Sequence, residues 1–413
     1  MDPLADQFDV VDSIQRYEKL YRIGEGTYGI VYKARDREND EIVALKKVRF
    51  DHAKDGVPVT SIRELRVLQS VNHPNIVRLK KVVTGTKAES IFLVFEYCEH
   101  DVGRLLDSLN SSFTLSEIKC LLKQLLEALV YLHDRWVMHR WVMMHRDIKM
   151  SNLLYNSRGQ LKLCDFGLAR YFAHYPSAMT PRVVTLWYRA PEVLLGTEIY
   201  DEAIDMWSVG CVLGELLKSE PLFPAENEME CLRMQCNLLG SPNTKTWPGL
   251  QGILATSNLK PPEQPLCSNL RQTFRHLSDE GLDLLSGLLS FDPETRFTAR
   301  QAIRHPFFNE RPLPKACEDM PTFPSSHNHN PENNEHFSQK RRRHGLLGEK
   351  AVGGGSESSA GRGIKGLMVS SKALVQQQGG CSSRSSHRSS HFPALDARRE
   401  ETQRRFGEAF GGP

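Results

Sequence analysis

Between Tyr17 and Val48 the apolar residues fall into three short runs, Tyr17 to Ile23, Ile30 to Ala34 and Ile42 to Val48, divided by glycine, turn or charged residues. Short β-rich runs broken in this way predict an antiparallel sheet. From Pro58 to Leu68 the pattern changes, with Ile62, Leu65 and Leu68 at helical spacing. Ile91 to Tyr97 is almost wholly apolar and predicts a buried strand. Beyond it, residues 118, 121, 122, 125, 126, 129 and 132 hold a sustained 3.6-residue period, which predicts a core helix over Leu115 to His133. After Phe308 both periodicities fade. Residues 325–413 are rich in Ser, Gly, Gln, Asn and His, including Gly353 to Ser356 and Ser382 to Ser390, and are expected to be largely disordered. Residues 1–16 read as a mobile leader. The order of elements predicts an α+β chain, with a small β-rich part over 17–97, a larger helical part over 98–308, and an extension over 309–413.

Composition narrows the function classes only a little. A chain of 413 residues suits one two-lobed domain with a tail. Lys and Arg number 53 against 50 Asp and Glu, so no global field favours nucleic acid or a membrane surface. The nine cysteines (98, 120, 164, 211, 231, 236, 267, 317 and 381) are scattered and lack C-x-x-C spacing, the pattern of reduced intracellular thiols without a zinc site. The start, Met1 to Asp6, is acidic where a signal peptide would be basic, and no apolar run approaches 18 residues. A soluble intracellular protein is expected.

The chemistry is concentrated in His145-Arg146-Asp147-Ile148-Lys149-Met150-Ser151-Asn152 and, shortly after it, Asp165-Phe166-Gly167. Two carboxylates and an amide around a short apolar run suit phosphoryl transfer, where an enzyme holds metal ions against phosphates and aims a hydroxyl in line. Asp147 is the expected acceptor for the hydroxyl proton. Asn152 and Asp165 supply hard oxygen ligands for Mg²⁺, and Lys149 neutralises charge on the moving group. Upstream, Gly24-Glu25-Gly26-Thr27-Tyr28-Gly29 has the G-x-G-x-x-G form shared by dinucleotide folds. A dinucleotide fingerprint opens a helix, whereas here a second strand follows, then Val43-Ala44-Leu45-Lys46. The glycines therefore read as a loop over a triphosphate, with Lys46 on the α/β-phosphates and Ile23, Val31 and Ala44 along the nucleotide. Glu64 is the candidate partner of Lys46, or else an exposed acid on a charged helix. On the apolar strand Phe95 is placed beside the adenine, the backbone of Glu96 and Cys98 is placed to bond the base, and Asp101 lies near the ribose. Cys164 is either a reactive thiol or a small apolar filler.

Through these motifs residues 17–308 resemble a eukaryotic protein kinase, and several stretches resemble the cyclin-dependent kinases. Those stretches are Gly24 to Gly29, Pro58 to Glu64, and Thr185-Leu186-Trp187-Tyr188-Arg189-Ala190-Pro191-Glu192. Pro58-Val59-Thr60-Ser61-Ile62-Arg63-Glu64 is close to the wording of the PITSLRE group, which includes cyclin-dependent kinases ten and eleven, and Pro312 to Pro314 and Met320 to Pro324 suit that branch. The resemblance implies a bilobal fold, ATP and Mg²⁺ as cofactors, a cyclin docked on the Pro58 to Glu64 helix (L type for an eleven-like chain, M type for a ten-like one), and protein substrates with Ser or Thr followed by Pro. It further implies an activating kinase acting on Thr180, with Arg63, Arg146 and Arg170 converging on the phosphate. Thr27 and Tyr28 resemble inhibitory phosphorylation sites. Val183, Val184 and Thr185 with Trp187, Tyr188 and Arg189 resemble the substrate cradle, Asp205 to Gly210 a supporting helix, and Glu192 with Arg296 an ion pair.

One departure stands out. Arg135 to Arg140 is followed at once by the near-copy Trp141 to Arg146, which makes this region six residues longer than the family pattern. The first His-Arg precedes Trp141, so only the second copy serves Asp147. Either the extra residues loop out, or the chain is a cyclin-binding scaffold without catalysis. In the tail, Lys340 to Arg343 is a basic cluster that reads as a nuclear localisation signal, an RNA contact or a solvated charge run. Nuclear residence is favoured over cytoplasmic, and direct nucleic-acid binding is not expected because interleaved aromatics are lacking.

Overall fold

A computed structural model describes residues 13–26, 29–48, 59–85, 90–109, 111–134, 142–172, 184–262 and 267–325, all within one compact unit. The first three predicted strands form as expected: β1 (Tyr17–Gly26), β2 (Gly29–Asp36) and β3 (Ile42–Val48). With β4 (Leu79–Thr84) and β5 (Ile91–Glu96) they make an antiparallel sheet of order β1-β2-β3-β5-β4. Alternation sorts its two faces. Val43, Leu45, Phe92 and Val94 point into a small core with Tyr17, Ala34 and Val83. Ala44, Lys46, Leu93 and Phe95 take the opposite face, where Val31 stands opposite Lys46 and Ala44 opposite Phe95. At the mouth of the β1–β2 hairpin, Gly29 has φ +151, and a Cβ there would lie 2.1 Å from the Lys47 carbonyl oxygen. Only glycine lets the strands approach so closely.

The predicted helix over 58–68 is α1 (Val59–Ser70), and Val67 and Leu68 face the main core. After the short strand β6 (His100–Asp101) and α2 (Val102–Ser108), the chain becomes helical. The long helix α3 (Leu115–His133) begins with a capping box in which Thr114 and Glu117 satisfy each other's backbone N–H groups, worth about 0.5–2 kcal/mol. Its stripe of Ile118, Leu121, Leu122, Leu125, Leu126, Leu129 and Leu132 is buried, as the periodicity predicts. Three small strands follow, β7 (Val142–Met144), β8 (Leu153–Tyr155) and β9 (Leu161–Leu163), then β10 (Arg170–Phe172). They pair as β10-β7 and β6-β8-β9. Among the described residues seven further helices follow: α4 (Pro191–Leu194), α5 (Ala203–Lys218), α6 (Glu228–Leu239), α7 (Leu250–Thr256), α8 (Leu270–Thr273), α9 (Asp279–Leu288) and α10 (Ala299–Ile303). No described helix is long and apolar enough to cross a membrane.

The repeat resolves in favour of its second copy. Val142 to Met144 form β7, Met143 and Met144 are fully buried, and α3 is capped at Asp134. The burial expected of this strand is thus taken by the copy next to Asp147. Residues 135–141 lie outside the described residues, as do 1–12, Pro58 and 326–413 with the basic cluster at 340–343.

Ordered structure continues past Phe308. Lys315 N donates to the Ser116 carbonyl and its Nζ pairs with Glu117 Oε1 at 3.0 Å, while Met320 is buried. Residues 309–325 therefore pack as a strap on the helical lobe. Proline and charge in this stretch hid it from the periodicity, because a strap held by carbonyls and single rings has no repeat.

Candidate active site

The catalytic loop is anchored from below. Asp205, in the first turn of α5, accepts from the backbone N–H of His145 and of Arg146, both at 2.8 Å, and from His133 Nε2 at 3.1 Å. Burial works against its charge, yet His133 and these N–H groups hold the carboxyl below its ordinary value, and Asp205 in turn raises His133 despite burial. This tether keeps Arg146 at φ +66, an uncommon conformation for a side chain of its size. His145 packs edge-on against Phe166 at 4.9 Å between ring centroids and donates Nε2–H to the Cys164 carbonyl at 3.0 Å. The loop and the Asp165-Phe-Gly turn are thereby joined.

Above this base the expected residues converge. Lys149 Nζ lies 2.7 Å from Asp147 Oδ2 and donates to Thr185 Oγ1 at 3.1 Å, while Thr185 Oγ1 donates to Asp147 Oδ1 at 3.1 Å. Asn152 Nδ2 donates to the Asp147 carbonyl at 2.8 Å and to Oδ2 at 3.0 Å. That leaves Asn152 Oδ1 turned away from Asp147. Across the cleft Lys46 Nζ meets Glu64 Oε1 at 2.6 Å and Asp165 Oδ1 at 3.6 Å. Burial works to discharge Lys46, but Glu64 and Asp165 outweigh it and hold the ammonium above its usual pKa. Glu64 is buried, so the alternative of an exposed acid falls.

The remaining candidates divide. Phe95 is buried on β5 beside Ala44, and no hydrogen bond engages the backbone of Cys98 among the described residues. The Glu96 N–H already donates to the Arg78 carbonyl at 3.2 Å and its carboxylate pairs with Lys162, which narrows the expected base contact at Glu96 to its carbonyl. Asp101 caps α2 through Arg104 N at 2.7 Å. The Ile23 carbonyl accepts from Arg104 Nη1 at 3.4 Å, which ties β1 to α2. Burial raises the Cys164 thiol well above its usual pKa and Cys98 to about 12, and Cys164 packs partly buried against the main core. Arg146 is buried, donates to the Leu168 carbonyl and to Tyr200 Oη, both at 2.8 Å, and is pulled down by burial and by the like charge of Arg170. Thr27, Tyr28 and Thr180 lie outside the described residues, as do the side chains of Glu25 and Arg63. The pair Arg296–Glu192 is buried and bidentate, at 2.7 and 2.9 Å.

Two features escaped the sequence. Thr185 bridges Asp147 and Lys149, a role that its place in the cradle motif does not announce. Val184 sits at φ +67, a true outlier for a β-branched residue, and its carbonyl accepts from Arg189 Nη2 at 3.0 Å and Nε at 3.3 Å.

A protein kinase domain model matches residues 17–308. The chain belongs to the protein kinase family. Within it, the chain falls among the cyclin-dependent kinases. The probable cyclin-dependent kinase 10 of Dictyostelium discoideum is 50% identical over 332 residues, covering 79% of this chain and 89% of that protein. Cyclin-dependent kinase 10 of Rattus norvegicus is 49% identical over 316 residues, covering 76% and 86%. Among solved structures, a chain of the yeast RNA Pol II CTD kinase CTDK-1 complex matches with a TM-score of 0.66 at 35% identity, covering 73% of this chain and 95% of that one. Neither these relatives nor the assembled site supports the scaffold alternative.

Kinases of this family use ATP with Mg²⁺, and the residues present fit both. Asp165 Oδ1 is buried without a hydrogen-bond partner, and Asn152 Oδ1 is the second hard oxygen.

Proposed function

We propose that this protein is a cyclin-dependent protein kinase of the ten-like type that transfers the ATP γ-phosphate to Ser or Thr followed by Pro. The observation that carries the reading is the Asp147 carboxylate, held between Lys149, Thr185 and Asn152, together with the Lys46–Glu64–Asp165 cluster. Mg²⁺, when bound at Asn152 and Asp165, neutralises phosphate charge. Lys46 orients the α/β-phosphates, Asp147 takes the proton from the incoming hydroxyl, and Lys149 compensates charge on the transferred group. Proline selection follows from Val184. With its carbonyl turned to Arg189, Val184 offers no acceptor to the N–H of the residue after the phosphorylated one, and proline has none to bury.

A cyclin seated on α1 accounts for the helix wording, and the relatives named cyclin-dependent kinase 10 favour an M-type over an L-type partner. The likeness to a CTD kinase complex supports a role in transcription or RNA processing, with cell-cycle control the other branch of the same family, and a nuclear location. Arg63, Arg146 and Arg170 are the cations that would receive a phosphate on Thr180 from an activating kinase.

The test is phosphate transfer to Ser-Pro and Ser-Ala peptides by the chain co-purified with an M-type or L-type cyclin, beside a form lacking Arg135 to Arg140. Transfer to Ser-Pro by both forms is the expected result. Transfer only by the shortened form, or by neither, would overturn the reading for this chain.

A further inference from the structure

The nucleotide and metal residues hang on a very small sheet. Asp101 ends β6, Asn152 immediately precedes β8, and Asp165 follows β9 by two residues. Strands of two or three residues have little stability of their own, so what packs on them sets their position.

What packs on them is the strap. Gly159, in the β8–β9 turn at φ +73, lies so close to Cys317 that a Cβ would sit 2.0 Å from the Cys317 carbonyl oxygen. Tyr155 Oη donates to the Pro321 carbonyl at 2.6 Å, and His100 Nε2 donates to the Phe323 carbonyl at 3.3 Å. The Phe323 ring stands edge-on to His100 at 6.0 Å and to Phe113 at 6.2 Å, and tilted to Tyr155 at 6.1 Å. Ser325 then donates to the Glu99 carbonyl at 3.4 Å and lies 3.3 Å from Tyr97 Oη. The strap grips β6, β8 and the β8–β9 turn, then the hinge segment on either side of Cys98.

We infer that residues 317–325 are a positioning clamp for the nucleotide site, with Phe323 as the wedge that fixes Asp101, Asn152, Asp165 and the Cys98 backbone relative to one another. The inference rests on the proposed ATP-binding role of those residues. The clamp touches nothing that reacts. Its effect is exerted through the sheet, where small displacements of metal and ribose ligands are amplified in nucleotide affinity.

The experiment uses the full chain with its cyclin and compares wild type, Phe323→Ala, Phe323→Tyr, Tyr155→Phe and Lys315→Ala. MgATP binding by calorimetry, KM for ATP, KM for peptide and the thermal midpoint are read for each. Phe323→Ala should raise KM for ATP about fivefold or more with the peptide KM near wild type, a split that a general loss of folding does not produce. Phe323→Tyr should restore most of the affinity. Tyr155→Phe, which keeps the core volume but removes the tether to Pro321, should weaken ATP about two- to threefold. Lys315→Ala, which loosens the strap only on α3, should leave ATP binding unchanged. Wild-type ATP affinity in both Phe323→Ala and Tyr155→Phe, or equal losses for ATP and peptide, would overturn the clamp alone. Failure of the wild type to bind MgATP would overturn the kinase reading, and the clamp with it.

Discussion

Arg189 holds the Val184 carbonyl with two N–H groups, at 3.0 and 3.3 Å, and Val184 remains left-handed beneath it. An unmatched N–H in the cradle costs about 1–3 kcal/mol, which corresponds to a preference of about 5- to 150-fold for proline. Replacing Arg189 with Met frees that carbonyl to turn toward the substrate. The ratio of kcat/KM for Ser-Pro over Ser-Ala peptides should fall toward unity, and an unchanged ratio would show that selection lies elsewhere.

Thr185 gives Asp147 its orientation. Thr185→Val keeps the volume and removes the hydroxyl that links Asp147 to Lys149. It should lower kcat about tenfold with KM for ATP little changed, whereas Asp147→Asn should lower kcat by about 10²–10⁴-fold with MgATP still bound. Single-turnover assays with a Ser-Pro peptide separate the two.

The buried Arg296–Glu192 pair secures α4, which follows the cradle in sequence, to the segment that precedes α10. Arg296→Met strands Glu192 without its partner, a loss of about 3–5 kcal/mol. Denaturant unfolding should show that drop, and the double variant Arg296→Met, Glu192→Gln should recover part of it.

The pH dependence of stability follows from His133 and Asp205. Asp205 is lowered from 3.8, so its contribution is present above that value and is lost as pH falls through the depressed folded-state value. His133 is raised from 6.5, so its contribution is full below 6.5 and is lost as pH rises through the elevated folded-state value. The pair therefore stabilises most between the two ordinary values. His133→Gln should be most damaging near pH 5 to 6 and progressively less so toward alkaline pH, measured as the difference in thermal midpoint from wild type. A pH-independent difference would show that His133 is not charged in the folded protein.

Lys46, Asp147, Asn152 and Asp165 could be singled out in the sequence because each sits in a short motif whose residue types suit phosphoryl transfer, and the fold brings Lys46 to Asp165 and Asn152 to Asp147. The main sheet, α1 and α3 were legible because burial on one face writes a period into the chain. The cyclin-docking and phosphate-receiving roles came only through family resemblance. The sequence could name Asp205 and Arg296 as supports in the same way, but not their geometry.

Only tertiary structure decided that Val142 to Met144 pair with β10 as β7, with Met143 and Met144 buried. It also decided that Thr185 meets Asp147, that the Val184 carbonyl turns to Arg189, and that residues 309–325 return to the hinge. These contacts join residues far apart in sequence through single carbonyls, hydroxyls and rings. Such groups leave no periodic trace, and their directions exist only once the chain is folded.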